Sequence, residues 1–217
     1  MRTYGRMFAA LAVVGGLALL FAPGASGDIA GSAHDFSTGT WAQGQICLPC
    51  HTPHHAVPGE WPLWNHESTT ATFTMYSSHA MDATAPTDVE GPSRKCLSCH
   101  DGTVAPDAFG GNAGTDALRL TGDSQIGAGA DLTNHHPISI NYLESEVDPE
   151  IVDFANLPSD IHLIPRGAFD PTVGAYVVTK QMLECGACHD VHDTYNQSDL
   201  LVKSNAGSAL CLSCHIK

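Results

Sequence analysis

The sequence predicts a chain that is mostly coil, with short α-helices and very little β. Three observations predict it. The 217 residues include 21 Gly and 13 Pro, which punctuate the chain too often for long regular elements. Beyond one N-terminal run, the apolar residues are thin and scattered, with no sustained helical or strand period. The eight cysteines fall into four identically spaced pairs, so something other than a large aliphatic core must organise the fold.

The first element is the segment MRTYGRMFAALAVVGGLALLFAPGASG. Arg2 and Arg6 precede an apolar run from Met7 to Ala22, and small residues follow, with Ala25 and Gly27 suited to cleavage before Asp28. This reads as a secretory signal peptide over 1–27, not as a membrane span. No cysteine lies near the cleavage point, so no lipid anchor is expected there, and no later stretch is apolar enough to cross a bilayer. The expected mature unit is a single exported domain over 28–217.

The cysteine pairs are Cys47/Cys50, Cys96/Cys99, Cys185/Cys188 and Cys211/Cys214, and each is followed at once by a histidine: His51, His100, His189 and His215. They are numbered here motifs I to IV. C-x-x-C-H is the attachment signature of c-type haem: two thioethers tether the porphyrin edge and the adjacent histidine is placed under the iron. Zinc ribbons pair C-x-x-C units but need no histidine directly after each. A redox dithiol occurs once, near a βαβ pattern, and a disulfide framework leaves the four histidines unexplained. The sequence therefore predicts four haem c groups, which would themselves serve as the core.

Spacing divides the mature chain. Motifs I and II are separated by 44 residues, II and III by 84, and III and IV by 21. This suggests 28–110 for haems I and II, a loop-rich insert over 111–180, and a compact pair over 181–217 for haems III and IV. The insert holds the flexible GGNAG and GDSQIGAGAD and the acidic YLESEVDPEIVDFANLPSD. PSRKCLSCH, QMLECGACH and GSALCLSCH each read as about two turns of helix, and GAYVVTKQ as a short strand or hairpin arm.

Nine histidines remain after the motifs: His34, His54, His55, His66, His79, His135, His136, His162 and His192. Four irons need up to four distal ligands, and the mature chain has only Met75, Met81 and Met182 as alternatives; Met182, just ahead of motif III, reads as packing. Bis-histidine ligation is expected at all four. In a short helix His192 lies only about 4.5 Å along the axis from His189. It cannot reach the far face of that haem, so it must serve another; haem IV, 19 residues on, is the natural choice. The same logic sends His54 to a haem other than its own. Pro137 restrains His136 to an extended backbone and makes it a stiffer candidate than His135.

The words GSAHDFS, CLPCHTPHHA, PLWNHE, CLSCHDGTVA, NHHPISI and CGACHDVH, with LLVKSNAGSALCLSCHIK, together resemble the exported multihaem cytochromes with doubled C-x-x-C-H motifs. The resemblance extends, in order, over nearly all of 31–217 and is nearest to the tetrahaem cytochromes that polymerise into extracellular nanowire filaments. It implies bis-histidine haems stacked in a continuous chain inside a coil-rich wrapper, with some distal ligands coming from a neighbouring subunit. Carried onto matching positions, the distal ligands are His34, His54, His136 and His192. The acidic stretch has no counterpart in that resemblance.

The functional expectation follows. The formal net charge of −14 becomes more negative once Arg2 and Arg6 leave with the leader, which disfavours nucleic acid as a partner. Closed, six-coordinate haems have no substrate position, so the chain is expected to carry electrons and not to be an enzyme. Expected partners are further copies of itself, head to tail through His54 or else His34 on the next subunit's haem, and redox proteins or extracellular acceptors. The expected location is an extracellular filament or the cell surface. A monomeric periplasmic shuttle is the alternative, and a multihaem reductase with an open iron is the more distant one.

Overall fold

The computed structural model describes residues 29–216; the leader assigned to 1–27 lies outside them. The described chain is mostly coil, joined by single 3-10 turns. It has one α-helix, α1 (Gly91–His100), and a three-stranded antiparallel sheet of β1 (Ile140–Asn141), β2 (Ile164–Asp170) and β3 (Ala175–Leu183), in the order β1-β3-β2. The expected boundary at 180/181 falls inside β3, which carries the chain out of the loop-rich insert and straight into motif III.

α1 forms because Pro92 supplies a pre-set first turn. Its inner face then buries Ser93, Leu97 and Ser98. Leu97 packs with Phe73, Val89 and Leu132, one of two small apolar clusters. The other gathers Ala83, Ile140, Tyr142, Leu163, Leu183 and Ala187 around the sheet. Met182 is buried at 4 % exposure, in keeping with a packing role.

GAYVVTKQ is indeed a hairpin arm. The turn between β2 and β3 closes with the Gly174 N–H donating to Asp170 O at 2.9 Å, while Asp170 Oδ1 accepts from the Thr172 N–H and hydroxyl. The ladder slips by one residue between Arg166 and Gly167. At that bulge a Cβ on Gly167 would stand 1.8 Å from Val177 O, so only glycine lets the strands close there.

Two of the three expected motif helices do not form. Motif II lies in α1, but QML before motif III is strand, because Met182 and Leu183 pair with Asn141 and Ile140. Ahead of motif IV, Gly207 takes φ +63° and breaks the run into two single turns. Much of the coil is held instead by short side-chain-to-backbone turns. Asp35, Asp101, Asp131 and Asp170 each accept from the N–H of a Ser or Thr two residues on, a local alternative to ladder bonds.

Candidate haem site

Motifs I, III and IV share one backbone turn. The histidine N–H donates to the carbonyl of the first cysteine, His51 to Cys47 at 2.8 Å, His189 to Cys185 at 3.0 Å and His215 to Cys211 at 3.0 Å. A returning segment then clamps each of the three. Asn65 N bonds Cys50 O and Thr52 N bonds Leu63 O around His51; Val202 N bonds Cys188 O and Asp190 N bonds Leu200 O around His189. For motif IV, Val152 N bonds Cys214 O and Ile216 N bonds Glu150 O. The acidic stretch that resembled nothing is therefore the return strand of the last motif, with Ile151 bridged to His215.

The clamp also aims the imidazoles. His51 Nδ1 bonds Pro62 O at 2.8 Å, His100 Nδ1 bonds Ser124 O at 2.7 Å and His189 Nδ1 bonds Asp199 O at 2.9 Å. In each case the accepting carbonyl lies two residues before the residue that bridges or bonds the motif: Trp64, Ile126 and Leu201. A carbonyl at Nδ1 fixes the proton there and turns Nε2 outward as the metal-binding nitrogen.

Three motif histidines face a second ring. His34 stands 6.1 Å from His100 between ring centres, His192 stands 6.3 Å from His51, and His136 stands 6.3 Å from His215. Metal–imidazole bonds of about 2 Å on opposite sides, added to the distance from each nitrogen to its ring centre, give a separation of about 6 Å. The pairs thus have the spacing of two axial ligands on one metal. Among the described residues no three His, Cys, Asp or Glu side chains converge on a single ion. Two rings and no further protein donors suit a metal whose other positions a planar ligand fills, as porphyrin does, and do not suit tetrahedral zinc.

His136 is the member of its pair of neighbours that faces a motif ring, and its Nδ1 bonds Pro137 O at 3.0 Å. His34 is half-buried. Burial pushes its imidazolium down to about 4, with His100, His189 and His192 adding to the effect, so the ring is held in the neutral form that metal binding requires. Its Nδ1 is buried with no hydrogen-bond partner.

The expectation that His192 serves the haem at motif IV is corrected. Its ring lies 6.3 Å from that of His51, with the two planes 28° apart. Asp190 accepts the N–H groups of His192 and Thr194 in a tight turn, and the ring beside His215 of motif IV is that of His136. His54 is exposed and meets no ring among the described residues. Of the remaining histidines, His66 is buried with both ring nitrogens on carbonyls, Glu67 O at 2.7 Å and Ala105 O at 3.0 Å, which leaves none for a metal. His55, His79 and His162 are exposed.

None of the eight cysteines is in a disulfide. Burial pushes the Cys50 thiol up to about 11, Cys99 to about 12 and Cys188 to about 11, with nearby cysteines adding to each shift. Those neighbours trace a pattern: Cys50 acts on Cys99, Cys96 and Cys185 act on each other, and Cys214 acts on Cys188. Motif II thus has motifs I and III as neighbours, and motif III has motif IV.

Residues 177–217, which hold motifs III and IV whole, match the family model of the doubled CXXCH motif. No curated protein matches the chain. The match identifies this segment as a site of covalent haem c attachment and places the protein in the class of haem-binding, electron-transfer cytochromes.

Proposed function

We propose that the protein carries four haem c groups, one at each motif, and conducts electrons along them as the subunit of an extracellular filament. The observation that carries this reading is the set of three opposed imidazole pairs, His34/His100, His51/His192 and His136/His215, at 6.1 to 6.3 Å. Cys47, Cys50, Cys96, Cys99, Cys185, Cys188, Cys211 and Cys214 would hold the porphyrins, and the paired rings would close both iron faces. Iron porphyrin supplies one-electron chemistry when bound. The chain supplies spacing, burial and axial ligation that would close three irons from within and the fourth from the next copy, so the reading assigns it no catalytic step.

The filament is supported by what is left over. Motif III supplies His189 with its Nδ1 on Asp199 O; among the described residues His34 lies close enough to feel its charge, but none of the three ring pairs includes it. His54 is the one distal candidate without a motif ring, and it is exposed. One open site and one spare ligand per chain fit a ligand donated from one copy to the next. Such a contact joins unlike surfaces and, where the rotation does not close, extends as a filament.

The test is His54→Ala in matured, secreted protein. The variant should keep four haems, turn one per subunit high-spin in its visible spectrum, and lose the filaments that negative-stain microscopy finds for the wild type. Intact filaments from the variant would contradict the shared ligand. Wild-type protein found only as low-spin monomers would favour the periplasmic shuttle, and a high-spin iron that binds cyanide readily would favour a reductase.

A further inference from the structure

Between motifs II and III lies a carboxylate for which the fold supplies only half a partner. Glu184 directly precedes Cys185, and its side chain is fully buried. Its Oε2 accepts from Ser93 Oγ at 2.5 Å and from Ser139 Oγ at 3.2 Å. Ser93 sits in α1 one turn before Cys96, and its hydroxyl oxygen also accepts from the Cys185 N–H at 3.0 Å. Glu184 is therefore wedged between the two attachment points, bonded through Ser93 to the helix that carries Cys96 and next in sequence to Cys185.

The other oxygen is different. Oε1 is buried with no hydrogen-bond partner. Arg166 Nη2 stands 3.8 Å away, too far for a hydrogen bond, and the same guanidinium lies 3.5 Å from Glu90. Gly91, at φ +59°, keeps this space: a Cβ there would stand 2.0 Å from Arg166 Nη2 and 3.1 Å from Glu184 Oε1. A buried carboxylate whose charge is half-satisfied is costly, and it is poised to take a proton on the free oxygen.

We infer that Glu184 is a redox-linked proton site, binding a proton when an electron reaches the haems held at motifs II and III and releasing it when the electron leaves. This rests on the reading that those motifs hold haem. The electron comes from a redox partner and the proton from solvent, by way of the opening beside Arg166, whose side chain is 34 % exposed. The only bond formed is O–H at Oε1, and oxidation breaks it again.

Adding an electron lowers the local charge by one, and across a protein interior that change is felt over many ångströms. The groups facing Glu184 are few. They are Ser93 and Cys96 from α1, Ser139 from the segment before β1, Arg166 from β2, and its own neighbour Cys185. Glu90 lies behind Arg166, and Lys180 stands opposite Arg166 in the ladder. Burial raises the proton affinity of the carboxyl above the usual range, against Ser93, Ser139 and Arg166, which lower it. Cys185 would bond the porphyrin and not the iron, and the nearest iron-binding candidate in sequence is His189, five residues on.

The test compares the haem-loaded wild type with Glu184→Gln by redox titration across pH and by reduced-minus-oxidised infrared difference spectra. In the wild type, a component potential should fall as pH rises, with a tenfold change in proton concentration worth at most about 59 mV for a one-electron couple. Reduction should also produce a carboxylic acid carbonyl band. Glu184→Gln should flatten that slope and lose the band. Arg166→Gln, which keeps the carboxylate and removes its cation, should move the slope to higher pH. An unchanged slope and band in Glu184→Gln overturns the inference. If that variant fails to fold, an unmoved slope in Arg166→Gln does so. Wild type without covalent haem would overturn the underlying reading and this inference together, whereas haem-loaded protein with a slope indifferent to Glu184 overturns this inference alone.

Discussion

His51, His100 and His189 are each held by the backbone and by Nδ1, and the two constraints come from one returning segment. The histidines themselves were legible, because C-x-x-C-H fixes residue type and spacing together. Their partners were not, because Pro62, Ser124 and Asp199 contribute only a carbonyl oxygen, which every residue has. The distal set was legible unevenly. Pro137 singled out His136 from His135, and the structure turns His136 toward His215. His136→Ala should therefore leave one high-spin haem in the visible spectrum, and His135→Ala should leave the spectrum low-spin; the reverse result would transfer the ligand to His135. For His192, distance along the chain ruled out its own motif but could not choose among the others. The turn built on Asp190 sets its ring beside His51 of motif I.

At the scale of elements, composition foretold coil but not what stabilises it. The hairpin was legible from GAYVVTKQ, while the helices expected at motifs III and IV were lost to pairing of Met182 and Leu183 with β1 and to Gly207. The bulge offers a direct check. Gly167→Ala would drive a Cβ into Val177 O and should cost about 1–3 kcal/mol, read as a lower thermal midpoint. The visible spectrum should stay low-spin, since neither strand of the bulge carries a ligand; a spectral change would mean that the hairpin positions the site. The aspartate turns predict acid sensitivity. Bonds from Ser37, Thr133 and Thr172 hold the carboxyls of Asp35, Asp131 and Asp170 below the usual range. A depressed carboxyl contributes stability above its unfolded pKa, near 3.9, and loses it as pH falls through the lower folded value. Urea midpoints should accordingly decline between about pH 5 and 3; a flat profile would show that these turns do not stabilise the folded state.

Across the whole molecule, two small apolar clusters are the core the described residues build, and the motif histidines lie half-buried or exposed around them. That motif II neighbours I and III, and motif III neighbours IV, is something no spacing argument could supply. The acidic stretch was illegible because its task, to clamp motif IV through Val152 N and Glu150 O, is again one of backbone and not of side-chain type. The account stands on haem at every motif, and the intact mass of the mature, exported protein tests that most directly. The mass should correspond to a chain beginning at or near Asp28 plus four covalent haem groups. Protein matured with a working attachment system that carries three or fewer would contradict it.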